Sequence, residues 1–151
     1  MLTTGDSRML MFQRIVLGGV MFPHGAQKLL GWFGGGGWDR TMQTMTQQMH
    51  MPAALAALVI AIEVFGSLAL IAGLFTRVSA AGIAAVMIGA VALVNHRFFF
   101  VDWGDQQGGE GYEYHLLALA LALPLIVRGG GAFSLDRVLS RRLRALRLAS
   151  A

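Results

Sequence analysis

Cysteine is absent from all 151 residues of the chain. Disulfides, thiol redox chemistry and cysteine metal sites are excluded with it, so electron transfer here would need a bound quinone, flavin or haem. Charge is scarce too: Asp, Glu, Lys and Arg together make up 13% of the residues, against roughly 25% in soluble domains. The four histidines, His24, His50, His96 and His115, show no H-x-x-x-H or H-x-x-E-H spacing, and no metal centre is expected. The glycine runs at 34–37 and 129–131 lack the lysine of a G-x-x-x-x-G-K loop, which excludes a phosphate cradle of that kind.

What fills the chain instead is apolar. Hydrophobic residues make up 56% of it, and the mean hydropathy is +0.61. Ala53–Leu74 holds one charge, Glu63, and Val78–Val94 holds none. With Arg14–Phe33 and Tyr112–Val127 they make four blocks near the roughly 17–25 residues that span a bilayer. The chain therefore reads as all-α, an integral membrane four-helix bundle over residues 1–133. Its spans lie at about 14–33, 53–74, 78–97 and 112–128, and a tail follows over 134–151. No clean small-x-small cleavage site follows the first block, which is read as a retained helix.

The net charge of +4 is unevenly placed. Four spans put both termini on one side, together with Arg8, Arg14, Arg77, Arg128 and the arginines of the tail. The other side has Lys28, Arg40 and Arg97 with Asp39, Asp102, Asp105 and Glu110. The positive-inside rule makes both termini cytoplasmic. The tail itself, "SLDRVLSRRLRALRLAS", opens with Ser134 as an N-cap. Leu135, Val138, Leu139, Leu143 and Leu146 share one helical face, and Arg137, Arg141, Arg144 and Arg147 the other. Such a basic amphipathic helix suits an anionic lipid surface, and nucleic acid is not expected as a partner.

The loops carry less information. "GGGGWDR" marks a flexible turn, and "TMQTMTQQMHM" after it allows a short interfacial helix, with Trp32 and Trp38 at headgroup level. "FTR" is tight and makes the second and third spans antiparallel neighbours. In "RFFFVDWGDQQGGEG", Phe98–Phe100 and Trp103 suit the bilayer surface.

Ionisable groups inside a membrane segment are expensive, so they face the bundle interior or a wet cavity and take partners. At 1.5 Å per residue, Lys28 lies roughly 8 Å, His24 roughly 14 Å and Glu63 roughly 15 Å from the outer boundary. His24, Lys28, Glu63, Asn95, His96, Glu113 and His115 thus all fall in the outer half and form the candidate ligand or ion-pair cluster. The simplest pairing joins Lys28 to Glu63 or Glu113, with Pro23 favouring a kink beside that level. Arg14, Gly18, Met21, Gly25 and Lys28 lie along one stripe of the first helix. Gly18, Gly25, Gly66 and Ser67 are the expected close-packing positions. The competing reading is purely structural: a charge pair that fixes register, and a satisfied core histidine beside a tolerated kink.

The stretch "RIVLGGVMFPHGAQKLLGWFGG" resembles the opening motif of the DoxX family. "EVFGSLALIAGLFTR" is similar to a second motif, although Ser67 stands where many relatives have glycine. "GYEYHLLALALAL" and "GGGAFSLD" resemble a Gly-x-Glu element and the closing motif, so the resemblance runs from about Arg8 to Asp136. It implies a small four-helix protein of the bacterial inner membrane, with relatives linked to thiosulfate:quinone oxidoreductase and to oxidoreductase complexes of oxidative-stress defence. Three functions follow as expectations. The first is an accessory or quinone-interacting subunit of a membrane oxidoreductase system, with quinone as cofactor and a redox protein as partner. The second is a non-enzymatic membrane scaffold. The third is a small solute or proton carrier, which would need a homo-oligomer or a narrow cavity.

Overall fold

Ser7 sets the first helix going. Its hydroxyl accepts a hydrogen bond from the Leu10 N–H at 3.3 Å, satisfying one of the donors that a helix start leaves open. The helix, α1 (Arg8–Leu30), then runs for 23 residues until Gly31 turns left-handed at φ +73°, a conformation glycine adopts without strain. The computed structural model of the chain describes residues 6–93, 97–100 and 111–149. Among these residues every regular element is helical.

After α1 the glycine-rich turn leads into α2 (Gly37–Gln43), and a wide turn at Thr44–Gln48 prolongs it. α2 and that turn fold over the end of α1 and the start of α3 (Ala53–Ala61), packing Met45 on Ala56 and Ile60. α3 passes through a π-bulge at Ile62–Gly66 into α4 (Ser67–Ala72), making one rod from Ala53 to Ala72. A turn at Gly73, Leu74 and Phe75 leads back into α5 (Thr76–Leu93). α6 (Glu113–Arg128) and α7 (Leu135–Ala149) complete the chain. The carbonyls of Phe98 and Phe99 cap α6 by accepting the N–H groups of Tyr112 and Glu113.

α1 lies against α4, α6 and the bulge, and α5 against α6. Leu17, Met21, Leu70, Ile83, Ala122 and Leu125 form the centre of the shared core. Outside it the surface is apolar: Phe12, Val20, Leu58, Phe65, Ile88, Leu117 and Val127 are all exposed. Soluble monomers rarely show apolar surface on that scale.

The rods Ala53–Ala72 and Thr76–Leu93 are long and apolar enough to cross a membrane by length and composition. Only 33% and 28% of their windows are buried, whereas the core helix of a soluble protein is mostly buried. The other two expected spans fall short of that description for separate reasons. α1 is less apolar along its length, with Gln13, Arg14, Pro23 and His24 inside it, and α6 has 16 residues, about 24 Å of rise. The boundaries also differ from the sequence expectation. α1 starts at Arg8 rather than near residue 14, because Ser7 caps it, and Gly31 stops it before Phe33. The expected extension of the third span to residue 97 falls on residues 94–96, outside those described, as does Trp103. Gly37 opens α2, so the glycine run is a turn over less of its length than expected.

Candidate functional site

Gly25 decides how closely α1 can approach the rod beside it. A Cβ there would stand 2.8 Å from the Glu63 carbonyl carbon and from the Val64 nitrogen, so a side chain would push the helices apart. Gly18 makes a second close approach two turns earlier, where a Cβ would sit 2.7 Å from the Ser67 carbonyl oxygen. With the backbones this close, Lys28 reaches across one turn beyond Gly25. Its ammonium donates to both oxygens of Glu63, at 2.5 Å each.

Glu63 itself stands in the π-bulge, where one extra residue widens the turn and redirects the side chains. It is 2% exposed, whereas Lys28 is 32% exposed. The carboxylate is therefore locked inside while the ammonium sits at an edge. Ser67 closes the bulge from below: its buried hydroxyl donates to the Val64 carbonyl at 2.8 Å. Gly66 faces Ile62 and Ile83 at ordinary contact distance.

That edge borders a cavity. α5 packs against α4 and the bulge, but α3 stands off from it, and the gap encloses about 260 Å³. Leu55, Leu58, Val59 and Ile62 line one wall; Ala85, Val86, Gly89, Ala90 and Leu93 line the other. Lys28 and Glu63 are its polar residues, with Met51 at the outer end. Lysine has three N–H donors. Two go to Glu63, which leaves one for an oxygen placed in the cavity.

The remaining candidates lie elsewhere. His24 is exposed on α1 and rests its ring on Tyr114, with centroids 5.4 Å apart. Tyr114 also donates to the Met21 sulfur at 3.1 Å and meets His115 edge-on. His115 is buried on α6, and Glu113 is half-buried at that helix's first turn. Neither lines the cavity. Asn95 and His96 lie outside the described residues. The five described candidates thus separate into the Lys28–Glu63 pair at the cavity, an aromatic–histidine group of His24 and His115 around Tyr114, and Glu113.

The structure also holds a second polar centre, around Arg14, outside the candidate cluster. Arg14 is 2% exposed and donates to carbonyls along three directions. Its guanidinium reaches Leu70 at 3.0 Å, and Ile71, at the end of α4. It also reaches Gly130 at 3.0 Å, Ala132 at 3.3 Å and Phe133 at 2.8 Å in the closing turn. Asp136 completes the knot, accepting from the N–H groups of Phe75 at 2.7 Å and Thr76 at 2.9 Å. Phe75 and Phe133 hold positive φ angles of 45° and 49° there, a strained state that charged hydrogen bonds can sustain. The sequence signal available was a lone arginine on the small-residue stripe of α1, together with the aspartate of "GGGAFSLD".

α7 begins at that knot. Ser134 accepts from the Arg137 N–H at 3.3 Å, and Arg137 pairs with Asp6 near the start of α1. Leu135, Val138, Leu139 and Leu146 are exposed along one side. Arg137 is half-buried and Arg141 exposed. Arg144 and Arg147 lie further along the same helix. Outside the membrane segments, the hydrogen bond from Arg137 holds the Asp6 carboxyl below the usual carboxylate range.

The family model described as DoxX matches residues 9–96 of the chain, which takes in α1, the bulge with Glu63, and α5. No curated protein and no solved structure matches it.

Proposed function

We infer the function from one premise, that this chain belongs to the DoxX family, and from one geometry, the Lys28–Glu63 pair at the edge of an apolar cavity. The protein is a multi-pass membrane protein that binds a quinone and serves as an accessory subunit of a membrane oxidoreductase system. α1, the Ala53–Ala72 rod, α5 and α6 cross the inner membrane as a four-helix bundle with both termini in the cytoplasm. The arginines between spans and in the tail support that orientation.

The observation that carries the reading is the third N–H of Lys28. Ligand sites are mostly apolar, with a few placed polar groups that fix orientation, and this cavity has that character. A quinone bound there supplies the redox chemistry. Lys28 holds a ring carbonyl by donating to it, and the buried Glu63 keeps the ammonium in place by accepting from it. Glu63 is also the nearest group able to hold or release a proton beside that carbonyl. The half-exposed ammonium and the bulge that carries its partner favour a working pair over one that only fixes register, since π-bulges recur at functional sites.

The test is mass spectrometry of an organic extract from detergent-purified protein, after an optical spectrum. Stoichiometric quinone supports the reading. A colourless protein that releases only bulk phospholipid sinks it and favours a scaffold, in which the pair ties helices together.

A further inference from the structure

The cavity also restricts what can enter it and from where. Along α3 it extends from Leu55 to Glu63, and along α5 from Leu93 to Ala85. Each stretch is about 12 Å at the rise of a helix. It is therefore a slot, deep at the ion pair and open along its length where α3 and α5 diverge. Its rim consists of Leu55, Leu58 and Leu93, which are 44%, 53% and 67% exposed. On a helix pair of this hydropathy those leucines face lipid chains rather than water,.

The floor is a cation and an anion already neutralising each other at 2.5 Å. A ligand carrying net charge would bring an uncompensated charge into an apolar slot, at a large desolvation penalty. A carboxylate or phosphate head would also face Glu63, and an ammonium head would face Lys28. An uncharged head with a hydrogen-bond acceptor needs only the remaining Lys28 N–H.

We propose that the slot selects an uncharged, ring-sized head bearing a carbonyl, and that the ligand enters sideways from the lipid between α3 and α5. This rests on the quinone reading and adds to it the charge class of the ligand and its route. Fatty acids and anionic phospholipid head groups are excluded by the charge argument, and short water-soluble rings lack the tail that the leucine rim would hold.

Gly89 offers a clean way to block the slot. It lines the α5 wall, and a Cβ added there meets nothing within 4 Å, so a side chain can start from it without a clash and Gly89→Phe is expected to occupy the cavity. Gly19, equally open but on the exposed side of α1, gives a control of equal bulk in Gly19→Phe. The protein is reconstituted in vesicles and titrated with a decyl-substituted benzoquinone, with the same quinone lacking its tail, and with decanoate. The expected result is saturable binding of the decyl quinone that Gly89→Phe weakens by at least about tenfold, a difference of roughly 1.4 kcal/mol. Gly19→Phe leaves it unchanged. Decanoate neither competes nor binds beyond its partition into empty vesicles, and the tailless quinone binds more weakly than the decyl form. Decyl quinone binding that survives Gly89→Phe overturns the slot while leaving quinone binding itself in place. Competition by decanoate overturns the charge selection, and equal binding of the tailless form overturns the lipid route. Absence of quinone binding in the unmodified protein overturns both this inference and the reading beneath it.

Discussion

Two basic residues stand on one face of α1, about 21 Å apart along its axis, and they live in opposite circumstances. Arg14 spends its guanidinium on five carbonyl oxygens drawn from α4 and the closing turn. Lys28 meets a single carboxylate, stays at an edge, and borders empty space. The planar fork of arginine suits the first task, because it can satisfy several fixed acceptors at once. A lysine on a flexible stem suits the second, because its ammonium can turn between partners. The difference teaches that burial alone does not mark a functional charge in this fold. On the function proposed above, a donor left over beside a cavity does.

The comparison breaks most visibly at Arg14. Arg14→Met strands carbonyls at the end of α4 and in the closing turn, and so releases that turn. A loss of about 3–5 kcal/mol is expected, of the size seen when one partner of a buried charged network is removed. Thermal unfolding in detergent and the amount of protein recovered from membranes measure it. Arg14→Lys should recover only part of that loss, since an ammonium cannot span the same acceptors.

Packing around the pair comes next. Gly25→Ala places a methyl 2.8 Å from the bulge backbone and is expected to destabilise by about 1–3 kcal/mol, as overpacking does. Gly66→Ala meets its neighbours at 3.7 Å or more and should leave the unfolding temperature nearly unchanged. If both substitutions behave alike, α1 does not rest on the bulge as described.

A third effect lies in the Asp136 cap. Asp136→Asn removes the charge that accepts from the Phe75 and Thr76 N–H groups. A loss of about 1–2 kcal/mol is expected, between an ordinary helix cap and a favourable partly buried dipole contact. Amide hydrogen exchange should quicken at the start of α5 and leave the outer end of that helix protected.

The smallest effect belongs to Asp6. Its carboxyl is held below the ordinary range by Arg137. Whatever stability it contributes is therefore fully present above the unfolded value of about 3.9 and is lost as pH falls through the lowered folded value. Proteolysis of the tail should rise only in that acidic window, and Asp6→Asn should show the same susceptibility at neutral pH. A tail equally resistant under all three conditions would mean that the pair does not hold α7.

Much of this was legible in the residues, and the exceptions have physical causes. The helical class, the tight reversal between the two apolar rods, and the Ser134 cap follow from hydropathy, from short loops and from side-chain chemistry. The stripe carrying Arg14, Gly18, Gly25 and Lys28 was visible at 100° per residue. The bulge at Glu63 was not, because an inserted residue in one turn leaves no periodic mark in an apolar run. Without the bulge, the separation of α3 from α5 and the cavity it opens could not be read either. Arg14 was misweighted for another reason. Counting cationic residues by side treats each as solvated, and nothing local shows that its partners are carbonyls more than fifty positions away. How the outer cluster divides is not legible from depth alone, because counting along a helix gives no azimuth. His24 and His115 pack on Tyr114 rather than lining the cavity.

One measurement bears most directly on the contrast between the two centres. Quinone extracted per folded protein is compared between the unmodified chain and the double variant Lys28→Met, Glu63→Gln. The double change removes both charges together, so no lone charge is left buried and the fold is expected to persist. Near-stoichiometric quinone is expected in the first and at least about a tenfold loss in the second, roughly 1.4 kcal/mol of binding, with the unfolding temperature little changed. A double variant that folds and carries as much quinone as the original would contradict that expectation, and the outer pair would then be a structural tie like the one at Arg14.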